Sequence, residues 1–225
     1  MSDDDVQRSW EALGPPLQQA MHLAWESTCA GSFGIGAVVT DQSGAVIATG
    51  RNRILESDPG DDVLCGTSLA HAEMNALAKL GFQTHADDHL ILHTTLEPCL
   101  QCTGAIRMSS VDEVKVLAPD PLFTGLDAIA DINEHIASNW PVVSRRPVDE
   151  WAVFSILLPT HLSSFWRTSL PRWTAALPTT VALADELAAS GELIAEAASH
   201  RSVVDVVAGW WPRLSPCVSE VQALN

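Results

Sequence analysis

His71-Ala72-Glu73 is answered twenty-five residues later by Pro98-Cys99-Leu100-Gln101-Cys102. Together the two stretches supply one imidazole, two thiols at i and i+3, and one spare carboxylate, which is the inventory of a catalytic zinc site. Zinc takes neutral imidazole and thiolate in a tetrahedron, and a catalytic site keeps the fourth position open for water. Residues three apart on a helix share a face, so Cys99 and Cys102 reach one ion if Pro98 opens a helix, where its missing N–H costs nothing. The spacing therefore predicts one zinc per chain on His71, Cys99 and Cys102. Glu73 stands beside the metal without being needed as a ligand, and is the candidate catalytic group.

His-x-Glu followed by Pro-Cys-x-x-Cys is the signature of the zinc nucleobase deaminases, and on those residues the chain resembles the cytidine deaminase-like superfamily. The flanks Ser68-Leu69-Ala70-His71-Ala72-Glu73-Met74-Asn75-Ala76-Leu77 and Thr94-Thr95-Leu96-Glu97-Pro98-Cys99 look like the branch that holds tRNA adenosine deaminases and guanine deaminases. The resemblance covers residues 15 to 125. It implies a three-layer α/β/α fold with a mixed central sheet of about five strands. In the resembling family an Asn at the exit of the second strand hydrogen-bonds the substrate base, which makes Asn52 a binding candidate. Ala72, Phe123 and Asp127 complete the expected substrate-binding set. Phe123 offers a ring for stacking on a flat base, and Asp127 an acceptor for a donor on its rim. Glu97 is read as a supporting carboxylate hydrogen-bonded to backbone rather than as the proton shuttle.

The surrounding pattern suits an α/β fold. Residues 1–14 are polar and end at Gly14-Pro15-Pro16, which predicts a loose N-terminus and a helix from Pro15 with Leu17, Ala20, Met21, Ala24 and Trp25 on its apolar face. His22 is expected at the surface. Residues 35–40 and 45–50 flank a glycine-containing turn and read as a hairpin. A surface loop over 54–67 then leads to a first metal helix over 69–80, with Gly81 as its stop. Residues 90–95 and 111–117 read as strands around a helix over 99–109, and such alternation implies parallel neighbours. Each metal-binding stretch thus falls at a helix start, where the partial positive charge favours thiolate. His85, His89 and His93 add nothing to the ligand set, which is already complete.

Beyond residue 139 the composition changes. Six of the eight Trp residues lie there, at 140, 151, 166, 173, 210 and 211. Residues 142–143 and 151–158 suggest strands. Residues 180–199 suggest a helix with Leu183, Leu187, Ile194 and Ala198 on one face, and Val203, Val206, Val207 and Trp210 continue the pattern. The expected organisation is a loose segment 1–14, a catalytic domain 15–139, and a mainly helical, Trp-rich extension 140–225. That much aromatic surface calls for packing on the catalytic domain or on a second copy of the chain, and the resemblance also implies a homodimer.

Charge narrows the substrate. The chain of 225 residues carries 28 acidic and 12 basic side chains, a formal net charge of −16. Residues 1–125 hold 17 acidic against 6 basic residues, and 126–225 hold 11 against 6, so neither half offers a basic arm. Nucleic-acid binding relies on Lys and Arg displacing counterions from phosphates, which argues against a polyanionic substrate. The five cysteines are an odd number without disulfide-like spacing, the N-terminus lacks the pattern of a signal peptide, and no apolar run spans a membrane. A cytoplasmic protein is expected. The reading that results is a zinc-dependent hydrolytic deaminase of a free base or nucleoside, with a purine favoured, releasing ammonia. A tRNA adenosine deaminase, a cytosine or cytidine deaminase, and a non-catalytic zinc-stabilised scaffold are the alternatives. A scaffold has no use for Glu73.

Overall fold

The computed structural model describes residues 3–82, 84, 85, 88–162, 170–199 and 201–225. Five strands form one sheet: β1 (Gly36–Thr40), β2 (Val46–Arg51), β3 (Ile91–Leu96), β4 (Glu113–Ala118) and β5 (Val142–Arg145), in the order β2-β1-β3-β4-β5. β1 runs antiparallel to both β2 and β3, whereas β3, β4 and β5 are parallel. The sheet is the mixed five-stranded one expected. The catalytic boundary expected at residue 139 cuts it, because β5 lies beyond that point and pairs with β4.

Two helical layers cover the sheet. On one face α3 (Ala72–Leu77) and α4 (Leu100–Met108) enclose a core of Ala37, Val39, Leu92, Ile106, Val114 and Val116. On the other, α2 (Pro15–Cys29) and α6 (Glu150–Thr160) enclose the larger core around Met21, Leu117, Trp151, Phe154 and Leu157. One glycine on each face brings a helix directly against a strand. A Cβ on Gly36 would lie 2.0 Å from the Ala20 carbonyl oxygen of α2, and one on Gly50 would lie 2.3 Å from that of Ala72 on α3. Backbone contact of this kind admits only glycine. The Gly50 contact seats the start of the metal-binding helix on β2.

Three segments depart from the sequence reading. Residues 3–13 are not loose but form α1 (Asp3–Leu13), since Val6 and Leu13 bury themselves at helical spacing and the Trp10 ring packs 4.8 Å from that of Trp151. Residues 151–158 are not a strand. They belong to α6, every residue of which from Trp151 to Thr160 is buried, and a continuous apolar run lacks the periodicity that separates a buried helix from a buried strand. Asp149, whose carboxylate accepts from the Ala152 N–H at 3.2 Å, caps that helix and was the available signal. The helix expected over 180–199 is broken in two by Gly191, at φ 70°, into α8 (Pro178–Ser190) and α9 (Glu192–Ala198). The break rotates the apolar face: Leu193 and Ala197 are buried in place of the expected Ile194 and Ala198.

α5 (Glu134–Ala137) is short and lies against α4, its His135 and Ile136 carbonyls accepting from Arg107. α7 (Leu170–Ala176), α10 (Val203–Leu214) and α11 (Val218–Gln222) complete the α-helices among the described residues. Val203, Val206, Val207, Trp210 and Trp211 of α10 enter the same core as α2 and α6, with Phe154 and Trp210 ring centroids 6.0 Å apart. Trp166 lies outside the described residues. Among those residues no helix is long and apolar enough to cross a membrane.

Candidate metal centre and active site

The site forms where two helices begin. His71 is the residue before α3 and Cys99 the residue before α4, both in extended conformation, so the metal-binding atoms sit at two helix N-termini that face each other. α3 is shorter than the 69–80 expected, and this shortening is what places His71 at its cap. Among the described residues the one group of potential metal ligands is His71, Cys99 and Cys102. The Nδ1 of His71 lies 3.6 Å from Cys99 Sγ and 3.5 Å from Cys102 Sγ, and the two sulfurs are 3.6 Å apart. Tetrahedral zinc with ordinary Zn–S and Zn–N bonds requires edges of roughly 3.8 Å between sulfurs and roughly 3.6 Å between nitrogen and sulfur. The triangle fits one zinc ion without rearrangement.

The electrostatics also call for a cation. The Cys99 thiol is lowered to about 4 by hydrogen bonding from Cys102 and from His71, against the effect of burial. Cys102 is pushed well above its ordinary value by Cys99, by burial and by Glu73, so the protein alone holds a single thiolate. With a divalent ion held by His71, Cys99 and Cys102 the second thiol would also lose its proton, since a metal-bound thiol ionises outright. Burial alone would lower the His71 imidazole, but Cys99 and Glu73 raise it above its usual value.

Glu73 is 3% exposed, and its carboxylate lies 3.4 Å from Cys102 Sγ and 3.4 Å from the Thr94 hydroxyl at the end of β3. Burial raises its proton affinity, offset in part by His71. Glu97 meets the supporting role expected of it: its Oε2 accepts the Asp120 N–H at 3.1 Å while Oε1 binds Arg145. Burial next to Glu97 and Cys99 lifts Asp120 to about 7.

The substrate-binding candidates are placed unequally. Asn52 is 1% exposed, and its Oδ1 accepts from Ser32 Oγ at 2.9 Å and from the Ile54 N–H at 3.1 Å, which fixes the orientation of its amide. Ala72 is wholly buried against β2, so any substrate contact it makes is through its main chain. Phe123 is partly buried on a turn whose Asp120 is bonded to Glu97. Asp127 lies one layer out, its carboxylate 3.8 Å from Arg145, the cation that holds Glu97. His85, His89 and His93 each hold a protein partner: Asp88 at 2.7 Å, Glu113 at 2.8 Å and the Thr40 hydroxyl at 3.2 Å.

Sequence reasoning missed four residues that frame the site. Asn75 is fully buried two residues after Glu73, its Oδ1 accepting the Leu64 N–H at 2.8 Å and its Nδ2 donating to the carbonyls of Leu64 and Arg51. Its position on the metal helix was the only signal. Ser32 and Arg145 lie far from the motif in sequence, Asp62 lies in the loop nine residues before His71, and nothing local marks them.

Residues 15–118 match the zinc-binding region of cytidine and deoxycytidylate deaminases. The chain is 39% identical over 162 residues to a guanine deaminase of Bacillus subtilis, covering 67% of this chain and 91% of that protein. The chain belongs to the cytidine deaminase-like superfamily. The matched zinc-binding region and the guanine deaminase relative fit the zinc-dependent deaminases, which are hydrolases of C–N bonds. A tRNA-specific adenosine deaminase of Haemophilus influenzae is 33% identical over 107 residues, 46% of this chain and 57% of that protein. A tRNA(Ile)-lysidine synthase of Deinococcus radiodurans is 30% identical over 137 residues, 58% of this chain. The superfamily member described here spans 22% of that synthase and little more than half of the adenosine deaminase.

Proposed function

We propose that this protein hydrolytically deaminates a small aminated heterocycle, a purine base or nucleoside, exchanging the ring amine for a carbonyl oxygen and releasing ammonia. The observation that carries the reading is Glu73: a buried carboxylate within 3.4 Å of a ligand sulfur, in a site whose ligands use only three corners of the tetrahedron. A structural zinc site is closed by four protein ligands and has no use for such a group. Zinc held by His71, Cys99 and Cys102 supplies Lewis acidity and lowers the pKa of water toward neutrality.

The chain's own residues then manage protons and position. Glu73, with its proton affinity raised by burial, takes a proton from water and delivers it to the ring nitrogen beside the aminated carbon as the water oxygen adds to that carbon. It then takes the proton of the added hydroxyl and gives it to the amine, so that the C–N bond breaks as the carbonyl forms. The Thr94 hydroxyl lies 3.4 Å from Oε1 and closer, at 3.0 Å, to the Leu96 carbonyl, so its single proton is shared between the two. Asn52, its Oδ1 held by Ser32 and Ile54, presents the other end of its amide to the polar edge of the ring. Phe123 lies against the ring face, and Asp127 reads a donor on its rim.

Two features support a small substrate over tRNA. A chain at −16 repels a polyanion, and a neutral base feels no such repulsion. The guanine deaminase relative is also matched over 91% of its length, against 57% for the adenosine deaminase. In this reading residues 15–139 carry the chemistry and the tail supports them. The protein acts as a cytoplasmic homodimer, consistent with five free cysteines, two of them ligands that must stay reduced.

Ammonia release from a panel of purine and pyrimidine bases and nucleosides tests the reading, alongside inosine formation in a tRNA anticodon stem-loop. Turnover of a purine is expected, and Glu73→Gln is expected to lower it by roughly 100- to 10,000-fold with zinc retained. Efficient inosine formation with no ammonia from any small compound would overturn the substrate. A loss below about tenfold in Glu73→Gln, far under that range, would remove Glu73 from the mechanism.

A further inference from the structure

Between β2 and α3 the chain runs from Asn52 to His71 without a regular element, a length that in a compact fold is usually functional. What orders it is a chain of ion pairs that starts on both sides of Asn52. Arg51 Nη2 binds Glu56 Oε2 at 2.8 Å, and Arg53 Nη1 binds the same oxygen at 2.8 Å. Arg53 Nε reaches Asp62 Oδ2 at 2.7 Å, and the other oxygen of Asp62 takes Lys79 Nζ at 2.7 Å. Lys79 also donates to the Thr49 carbonyl of β2 at 2.6 Å. The Asp62 side chain is 5% exposed, and those of Arg53 and Lys79 are 11% and 25% exposed.

Asp62 is the joint of this network. One of its oxygens holds the residue after Asn52, and the other holds the chain just past the end of α3, the helix that carries Glu73. The backbone repeats the connection: Arg53 N–H donates to Ala70 O at 2.9 Å, and Gly66 N–H to Arg53 O at 3.0 Å. The loop therefore closes on Arg53 immediately before His71. Replacing a partner in a half-buried network strands the remaining charges, so such pairs hold geometry more firmly than exposed ones.

We propose that Asp62 is a positioning residue for substrate binding, coupling the Asn52 turn to the metal-bearing helix. This rests on the role given above to Asn52 at the edge of the substrate ring. Without the Asp62 carboxylate, Arg53 and Lys79 separate, the turn after Asn52 loosens, and the bound ring loses its fixed polar partner while metal and Glu73 stay in place.

The test measures KM and kcat of Asp62→Asn on the purine that the wild type turns over best, with zinc content and amide exchange at Arg53 and Gly66. KM is expected to rise about tenfold, the scale of one charged hydrogen bond. Turnover at saturation should stay within about threefold, below that same scale, with zinc near one per chain and faster exchange at both amides. Asp62→Glu should restore KM, and Lys79→Met, which cuts one arm only, should give a smaller rise. Unchanged KM and exchange in Asp62→Asn would overturn the proposal, as would loss of zinc with kcat and KM failing together. If the wild type deaminates no member of the panel, the proposed function fails separately; Asp62 is then judged by exchange alone, with unaltered protection at Arg53 and Gly66 overturning it and accelerated exchange upholding the clamp.

Discussion

At the scale of single residues, the buried polar groups divide by what each gains from burial. Glu73 and Asp120 both have raised proton affinities, and of the two it is the Glu73 carboxylate that makes a hydrogen-bond contact with a ligand sulfur. His93 shows the opposite shift. Its imidazole is lowered to about 4 by burial and by the neighbouring Lys115, against a smaller pull from Glu113, and its Nε2 meets the Thr40 hydroxyl. The unfolded chain binds a proton near pH 6.5, so between pH 6.5 and 4 it takes up more protons than the folded protein. The stability that His93 contributes is complete above pH 6.5 and is lost as pH falls through 4. Thermal denaturation across this window should show a shallower acid decline for His93→Gln, whose amide can keep the Thr40 bond. Parallel curves for variant and wild type would show that the ring is not held neutral by burial. The metal ligands were legible at this scale because zinc chemistry restricts them to few residue types at narrow spacings. Asp62 and Arg145 were not, because an ion pair leaves no local pattern around either partner.

At the scale of elements, the tail divides into buried and covering pieces. α6 is surrounded on all sides, by α2, α8 and α10 as well as by β3 and β4, which is why its sequence reads as an unbroken apolar run. α9 lies at the periphery and leaves Ile194 63% exposed. Leu157→Ala should cost about 2–5 kcal/mol, through lost burial and a residual cavity. Ile194→Ala should stay within about 0.5 kcal/mol of wild type, as surface changes do. Urea denaturation compares them directly, and equal costs would mean that α6 does not form the wall of the core. The helix start at Pro15 and the hairpin around Gly44 were readable from turn and cap chemistry, whereas the start expected at Pro98 falls at Leu100, with Cys99 as its cap. The break at Gly191 follows from the same chemistry, since a glycine at positive φ ends a helix without strain. The resulting rotation moved two residues out of the expected face.

At the scale of the whole molecule, the tail is not an appendage to a finished domain. β5 completes the sheet, α6 fills its rear face, and α1 packs Trp10 on Trp151, so both ends of the chain meet in one core. This core takes up much of the aromatic surface that suggested a partner, including Trp151, Trp173, Trp210 and Trp211. Large apolar side chains remain exposed elsewhere: Leu69 and Leu100 flank the metal ligands, and Phe82 and Met108 are 94% and 81% exposed. A homodimer that covers part of this surface is the expected solution state, and light scattering that reports a monomer across micromolar concentrations would rule it out. The sequence by itself determined the metal, the fold class and the superfamily, and it pointed to the carboxylate proposed as the proton shuttle. Each of these depends on residue types at short spacings, where local geometry is set by helix and strand periods. Only the tertiary structure decided how the tail enters the core, which carboxylate ties the loop after Asn52 to the metal helix, and that Arg145 stands between Glu97 and Asp127. Those contacts join residues far apart along the chain, and their energies come from burial and charge pairing that exist only once the chain has folded.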